Sequence, residues 1–303
     1  MSVLDRSYEA DEDPSRPRPI AWDDYESRSF AEWGALLDSD PAEASAQAWL
    51  ELHPSFLPGG FGDIGPGGHH GSEWDALFRE APLKGLGKDR RPDFMWVTRS
   101  SSLITPILIE IEKPSRRWFK SDGRPTRAVV EAIDQLTDWK VWFSSPENQS
   151  IFRSTFMLGE KYENRALEPH YVLIFGRSSE FGAEGPHANP DWLRYKRDFM
   201  RRENENFMTF DSLRPHREND DAITLSMTTN GPALWAVSPT FGTGPTFMRA
   251  AERLLDVDAG LARSTYIGAD RRQYLTQRFK HWKDESIKER TIPGAKPMSL
   301  SRE

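Results

Sequence analysis

One short segment of the chain concentrates the residues with the clearest chemistry. In Ile107-Leu108-Ile109-Glu110-Ile111-Glu112-Lys113-Pro114, strand alternation points Ile107, Ile109 and Ile111 one way and Leu108, Glu110 and Glu112 the other. An unbroken isoleucine face packs against a helical layer, so the two acids on its reverse are not ordinary surface groups. Carboxylates at i and i+2 repel unless a cation sits between them or one holds a proton. Oxygen donors of this kind suit a hard divalent ion such as Mg²⁺. Upstream, Arg91-Pro92-Asp93-Phe94-Met95-Trp96-Val97 reads as a second strand. If the two strands form a hairpin, Asp93 lies beside Glu110, and three acids and Lys113 gather at one point. A metal there polarises a phosphoryl oxygen and activates water for in-line attack. Half-solvated edge strands also carry alternating acids, so the motif alone leaves that reading open.

The elements that must position these residues are legible around them. A helix is expected over Pro41–His53, then a Gly-rich loop from Pro58 to Gly71 and a short helical piece near Glu73–Glu80. Strands are expected at Pro92–Thr98 and Ile107–Glu112, joined by the polar turn Arg99–Thr105. The strongest helix runs from Arg127 to Phe143, with Ala128, Val129, Ala132, Ile133, Leu136, Trp139 and Phe143 on one arc. A buried strand follows at Tyr171–Phe175, a charged helix near Trp192–Asn204 and a strand at Phe207–Phe210. Two more helices are expected at Thr246–Leu255 and Arg271–Lys288. The order β-β-α-β argues for an α/β sheet flanked by helices. The expected divisions are a mobile acidic, Pro-rich tail over 1–28, a core over 29–219 and a C-terminal helical extension over 220–303, packed on the core or used in oligomerisation.

Composition narrows the classes further. The chain has no cysteine, which excludes thiolate metal sites and cysteine nucleophiles. No stretch is long and apolar enough to span a membrane, and the N-terminus lacks a signal-peptide core, so a cytoplasmic protein is expected. The net charge is −7. Residues 1–53 carry 13 acids against 4 bases, whereas 84–127 carry 11 bases against 5 acids. The acidic total therefore conceals a basic stretch enclosing the candidate acids, with Arg91, Arg116, Arg117 and Lys120 as natural phosphate contacts. His69-His70 has no metal-ligand spacing behind it. Gly60-Phe61-Gly62-Asp63-Ile64-Gly65 matches a dinucleotide fingerprint only formally, since no strand precedes it. Two acids on one strand face cannot flank a sugar as an inverting glycosidase requires.

Pro92-Asp93 followed by Glu110-Ile111-Glu112-Lys113 resembles the PD-(D/E)xK nuclease motif. More narrowly, Leu108 to Pro114 and Ala132-Ile133-Asp134-Gln135-Leu136-Thr137-Asp138-Trp139 resemble the Shedu anti-phage defence nuclease family. Trp49-Leu50-Glu51-Leu52-His53-Pro54, Ile174-Phe175-Gly176-Arg177 and Arg278-Phe279-Lys280-His281-Trp282 are further echoes. The resemblance implies a restriction-endonuclease-like core, with a central mixed β-sheet, flanking helices and an additional C-terminal helical region. It also implies Mg²⁺-dependent cutting or nicking of double-stranded DNA, with Mn²⁺ able to substitute, in a homo-oligomer (dimer or tetramer) that defends against phage. Under it Asp93 and Glu110 are metal ligands, Gln135 is the glutamine of a helical motif, and Glu51 is the acid that some members supply from the first helix. The usual lysine slot is taken by Glu112, with Lys113 one step on. Either Glu112 is a ligand or general base, or a bulge turns Lys113 inward. A nuclease fold that has lost its chemistry and only binds DNA or a phage component is the alternative.

Overall fold

Leu103–Ile111 is buried along nearly all its length, and the molecule is organised about this strand. The computed structural model describes residues 16–66, 76–85, 89–159, 162–244 and 248–291. In chain order the elements are α1 (Trp22–Asp38), α2 (Glu43–Leu52), β1 (Ala76–Arg79), β2 (Phe94–Arg99), β3 (Leu103–Ile111), α3 (Arg127–Phe143) and α4 (Pro146–Thr155). They continue through β4 (Ala166–Leu167), β5 (His170–Ile174), α5 (Pro190–Phe199), β6 (Glu205–Met208), β7 (Ile223–Thr228), β8 (Gly231–Val237), α6 (Met248–Arg253), α7 (Val257–Arg263) and α8 (Ala269–Thr291). One mixed eight-stranded sheet runs β6-β5-β3-β2-β1-β7-β8, with β4 paired to β3.

The sheet is covered on both faces. Ile107, Ile109 and Ile111 pack with Phe94, Trp96 and Val172 against α1 and α2 through Trp33, Leu37 and Leu50. Leu108, Met95 and Leu173 pack the other way, against Leu136 and Trp139 of α3. Burial on two sides explains why these strands read as apolar runs rather than alternations. α3 begins where Thr126 caps it, its hydroxyl accepting from the Val129 N–H, and its stripe Val129, Ala132, Leu136, Trp139 and Phe143 is buried as expected. The expected hairpin is present with a tighter turn, Ser100 accepting through its hydroxyl from the Leu103 N–H at 3.1 Å.

Three expectations need correction. The piece near Glu73–Glu80 is strand over Ala76–Arg79, pairing antiparallel to β2 and parallel to β7; Ala76 and Phe78 serve one core and Leu77 the other, which hides any helical or half-buried pattern. The tail expected to reach residue 28 is helical from Trp22, because Tyr25 and Trp33 bury against the sheet. The region after Asp220 is not only helical: β7 and β8 extend the central sheet, and α6–α8 close over them through Leu254, Leu261, Leu275, Phe279 and Trp282. His69 and His70 lie outside the described residues.

Candidate active site

Register alone brings the acids together. Phe94 stands opposite Ile109 in the β2–β3 pair, so one further antiparallel step sets Asp93 across from Glu110. Asp93 is fixed there from both sides. Its Oδ2 accepts from the Ile111 N–H at 2.8 Å, and its carbonyl accepts from the Glu80 N–H at 2.8 Å. Glu110 is 7% exposed, and its Oε2 is buried with no hydrogen-bond partner. Glu112 follows two residues later at the end of the strand, its side chain 14% exposed and ion-paired to Arg116 at 2.6 Å.

Burial and mutual repulsion dominate the electrostatics. Burial, more than any neighbour, raises the Asp93 carboxyl to about 7, with the charges of Glu43 and Glu80 adding to it. Glu112 is likewise raised to about 7 by burial and by Glu43 and Asp93, against the pull of Arg116. Glu110 is pushed well above the usual carboxylate range by burial, then by Asp93, Glu112 and Glu43. Near neutrality these carboxyls hold protons that a cation would displace.

Glu43 is a member the sequence reading missed. It opens α2, and the N-terminus of that helix meets the end of β3; no local pattern in the sequence carries such a tertiary relation. Glu51, the expected helical acid, is engaged in an ion pair of its own. Glu51 accepts from Arg79 Nε at 2.6 Å, and Arg79 also pairs with Glu80 at 3.1 Å. Lys113 is turned aside too: its Nζ lies 3.4 Å from Asp40 in the α1–α2 connection, and it is 40% exposed. Strand alternation thus puts Glu112, not Lys113, beside Glu110.

Gln135 lines an open cavity of about 350 Å³ between α3 and the segment entering β2, shared with Asp89, Arg90, Arg91, Asp134, Asp138 and Trp139. Arg90 is held by Asp138 at 2.7 Å, while Arg91 is exposed. Arg116, Arg117 and Lys120 are exposed on the loop that leaves Glu112. That loop is pinned from beneath: the Glu180 carboxylate accepts from the N–H groups of Trp118 and Phe119 at 2.8 and 2.9 Å and meets His187 Nε2 at 2.9 Å. Gly176, at φ +64, lets the end of β5 abut the Arg116 carbonyl, which would lie 2.6 Å from an added Cβ. Gly176→Ala is therefore expected to lower stability by about 1–3 kcal/mol and to shift the Arg116–Glu112 pair; a wild-type melting temperature would refute this placement.

Among the described residues, no group of three or more His, Cys, Asp or Glu side chains is arranged so that it could hold a metal ion. What is present is a cluster of carboxyl oxygens, one of them buried without a hydrogen-bond partner. No helix among the described residues is long and apolar enough to cross a membrane. In comparisons with known proteins, the family model described as Shedu protein SduA, C-terminal, matches residues 40–214. No curated protein and no solved structure matches.

Proposed function

The chain belongs to the Shedu family, which implies a role in anti-phage defence, and from that premise we propose that it is a Mg²⁺-dependent endodeoxyribonuclease that nicks or cuts double-stranded DNA on a restriction-endonuclease-like core. The observation that carries the reading is the bunching of Asp93, Glu110 and Glu112 with Glu43, all oxygen donors, whose raised proton affinities mark a mutual repulsion that a divalent ion would relieve by displacing the protons. The orphaned Oε2 of Glu110 fits the same use. Donors of this class hold Mg²⁺ and also Mn²⁺. Asp93 and Glu110 would hold the ion, with Glu112 and Glu43 completing its surroundings. When bound, such an ion supplies Lewis-acid polarisation of the scissile phosphate and lowers the pKa of attacking water.

The chain's own residues do the rest. Ile111 N–H orients the Asp93 carboxylate. Glu112 is the group placed to take a proton from water, its carboxyl poised near 7 as general-base work requires. Arg116, by pairing with Glu112, couples that base to the exposed cations Arg117 and Lys120, which suit the DNA backbone. Arg91 and Gln135, on the adjoining cavity, are positioned to meet the strand on the α3 side. Lys113 is a backbone-contacting cation in this scheme rather than the motif lysine. Oligomerisation as a dimer or tetramer, and a 29–219 core carrying the chemistry, belong to the same reading.

The test is cleavage of supercoiled and linear DNA in Mg²⁺ and in EDTA. Wild type cuts only with Mg²⁺; cleavage in EDTA, or none in either, would defeat the proposal. Run in parallel, Glu43→Gln lowers the rate about 10- to 100-fold, the range for groups that orient a metal's ligands. Glu51→Gln instead leaves Arg79 with Glu80 as its one carboxylate partner among the described residues and costs about 1–3 kcal/mol of stability while sparing the rate. The reverse ranking would return the helical acid's role to Glu51.

A further inference from the structure

Helix α5 exposes three aromatic side chains on one face: Trp192 is 63% exposed, Tyr195 64% and Phe199 88%. They make up three of the four exposed aromatic side chains among the described residues, the other being Phe30. At three- and four-residue steps they fall within an arc of about 60° and succeed one another at roughly 4.5 and 6 Å along the axis. Leu193, on another face, anchors the helix in the core. Soluble surfaces seldom carry such a run unless something stacks on it.

The surroundings of this face are cationic. Lys196, next to the stripe, donates to the Gly123 carbonyl at 2.7 Å and sits over Phe119, while Arg197 lies over Trp118. These contacts weld α5 to the loop that leaves the acids at Glu112. Over 113–127 the chain carries six bases and one acid, and over 190–202 five bases and two acids, in a protein of net charge −7. Arg117, Lys120, Arg124 and Arg201 are exposed within these segments. Exposed rings in a row near exposed cations suit bases that have left the duplex stack, with their phosphates on the cations; intact duplex hides its base faces.

We propose that the Trp192–Tyr195–Phe199 face of α5 is a stacking platform for single-stranded DNA, held beside the active-site loop. The proposal deepens the nuclease reading, on which it rests for the presence of DNA there, by making an unpaired strand part of what the protein engages. A docked protein or a second copy of the chain is the competing occupant; the excess of arginine and lysine favours the polyanion.

The test measures binding of a fluorescein-labelled oligothymidylate and of a blunt duplex to the full chain by anisotropy, in EDTA so that no cleavage intervenes. Alanine at each of Trp192, Tyr195 and Phe199 is expected to weaken oligothymidylate binding by about 5- to 100-fold per ring, with duplex binding nearly unchanged. The slope of log affinity against log salt stays at its wild-type value in these variants. Arg117→Ala and Lys120→Ala reduce that slope, because they remove phosphate contacts. The platform is refuted if the triple-alanine variant binds oligothymidylate as wild type does. It is equally refuted if that variant alters only the sedimented mass, which would mean the face packs on another copy. Failure of the wild type to bind any DNA would overturn the nuclease reading beneath it; duplex binding without a ring effect would sink the platform alone.

Discussion

Asp93→Asn and Glu110→Gln should each lower Mg²⁺-dependent DNA cleavage about 10³-fold or more, and each should make the metal-free protein more stable at pH 8. Removing a ligand withdraws several kcal/mol of transition-state stabilisation, at about 1.4 kcal/mol per tenfold in rate. The gain in stability has the same origin. Glu110 is buried among three other acids, so forcing it to ionise opposes folding, and a neutral amide of equal size is relieved of that penalty, by about 1–3 kcal/mol. Enzyme sites that sacrifice stability for reactivity behave in this way. Initial rates on supercoiled plasmid, together with melting curves in EDTA, check both halves. A variant that is inactive and also less stable would point to a broken fold instead of a removed ligand.

The second large effect is on the pH dependence of stability. Asp93 and Glu112 have ordinary carboxylate affinities when unfolded, near 4, but titrate at about 7 in the fold. Between those values the native state holds more protons on these two groups than the unfolded one, so their contribution to stability falls as pH rises through roughly 4 to 7. Asp40 and Glu205, both lowered by their partners, act oppositely and withdraw stability only as acid approaches their own range. His53, His170, His216 and His281, all lowered by burial, push the other way below about pH 6.5. The net loss in the metal-free chain is therefore expected above that, about 1–3 kcal/mol from about pH 6.5 to 8 after discounting for the solvent that reaches Glu112, or a few °C in melting temperature. Saturating Mg²⁺ removes most of that loss, because a cation neutralises the same charges without protons. A melting temperature that rises with pH across this window in EDTA would contradict the repulsion argument.

Much of this was legible in the sequence where one element's own pattern decided the matter. The apolar stripe of α3 located it from Arg127 to Phe143, and alternation along Ile107–Glu112 put Glu110 and Glu112 on one face. Asp93 could be placed because hairpin register is local. β1 was misread as helix because four residues buried on both faces show no period. β7 and β8 did leave a signal: Ile223, Leu225 and Met227 alternate with Thr224, Ser226 and Thr228, and Thr229-Asn230 closes a tight hairpin just before Gly231. Glu43 was invisible for a different reason. Its role depends on where the start of α2 meets the end of β3, and only the packing of Ala46 and Leu50 on the sheet settles that. Glu51 matched the family pattern, yet Arg79, brought alongside by β1, claims it.

The most direct measurement is calorimetric titration of Mn²⁺ or Mg²⁺ into the metal-free protein near pH 7, in buffers of differing ionisation heat, for wild type beside Glu110→Gln. Wild type should bind the ion and release protons from the acid cluster as it does so, while Glu110→Gln should bind at least about tenfold more weakly and release fewer. Equal affinity in the two proteins, or uptake by wild type with no proton release, would contradict the account.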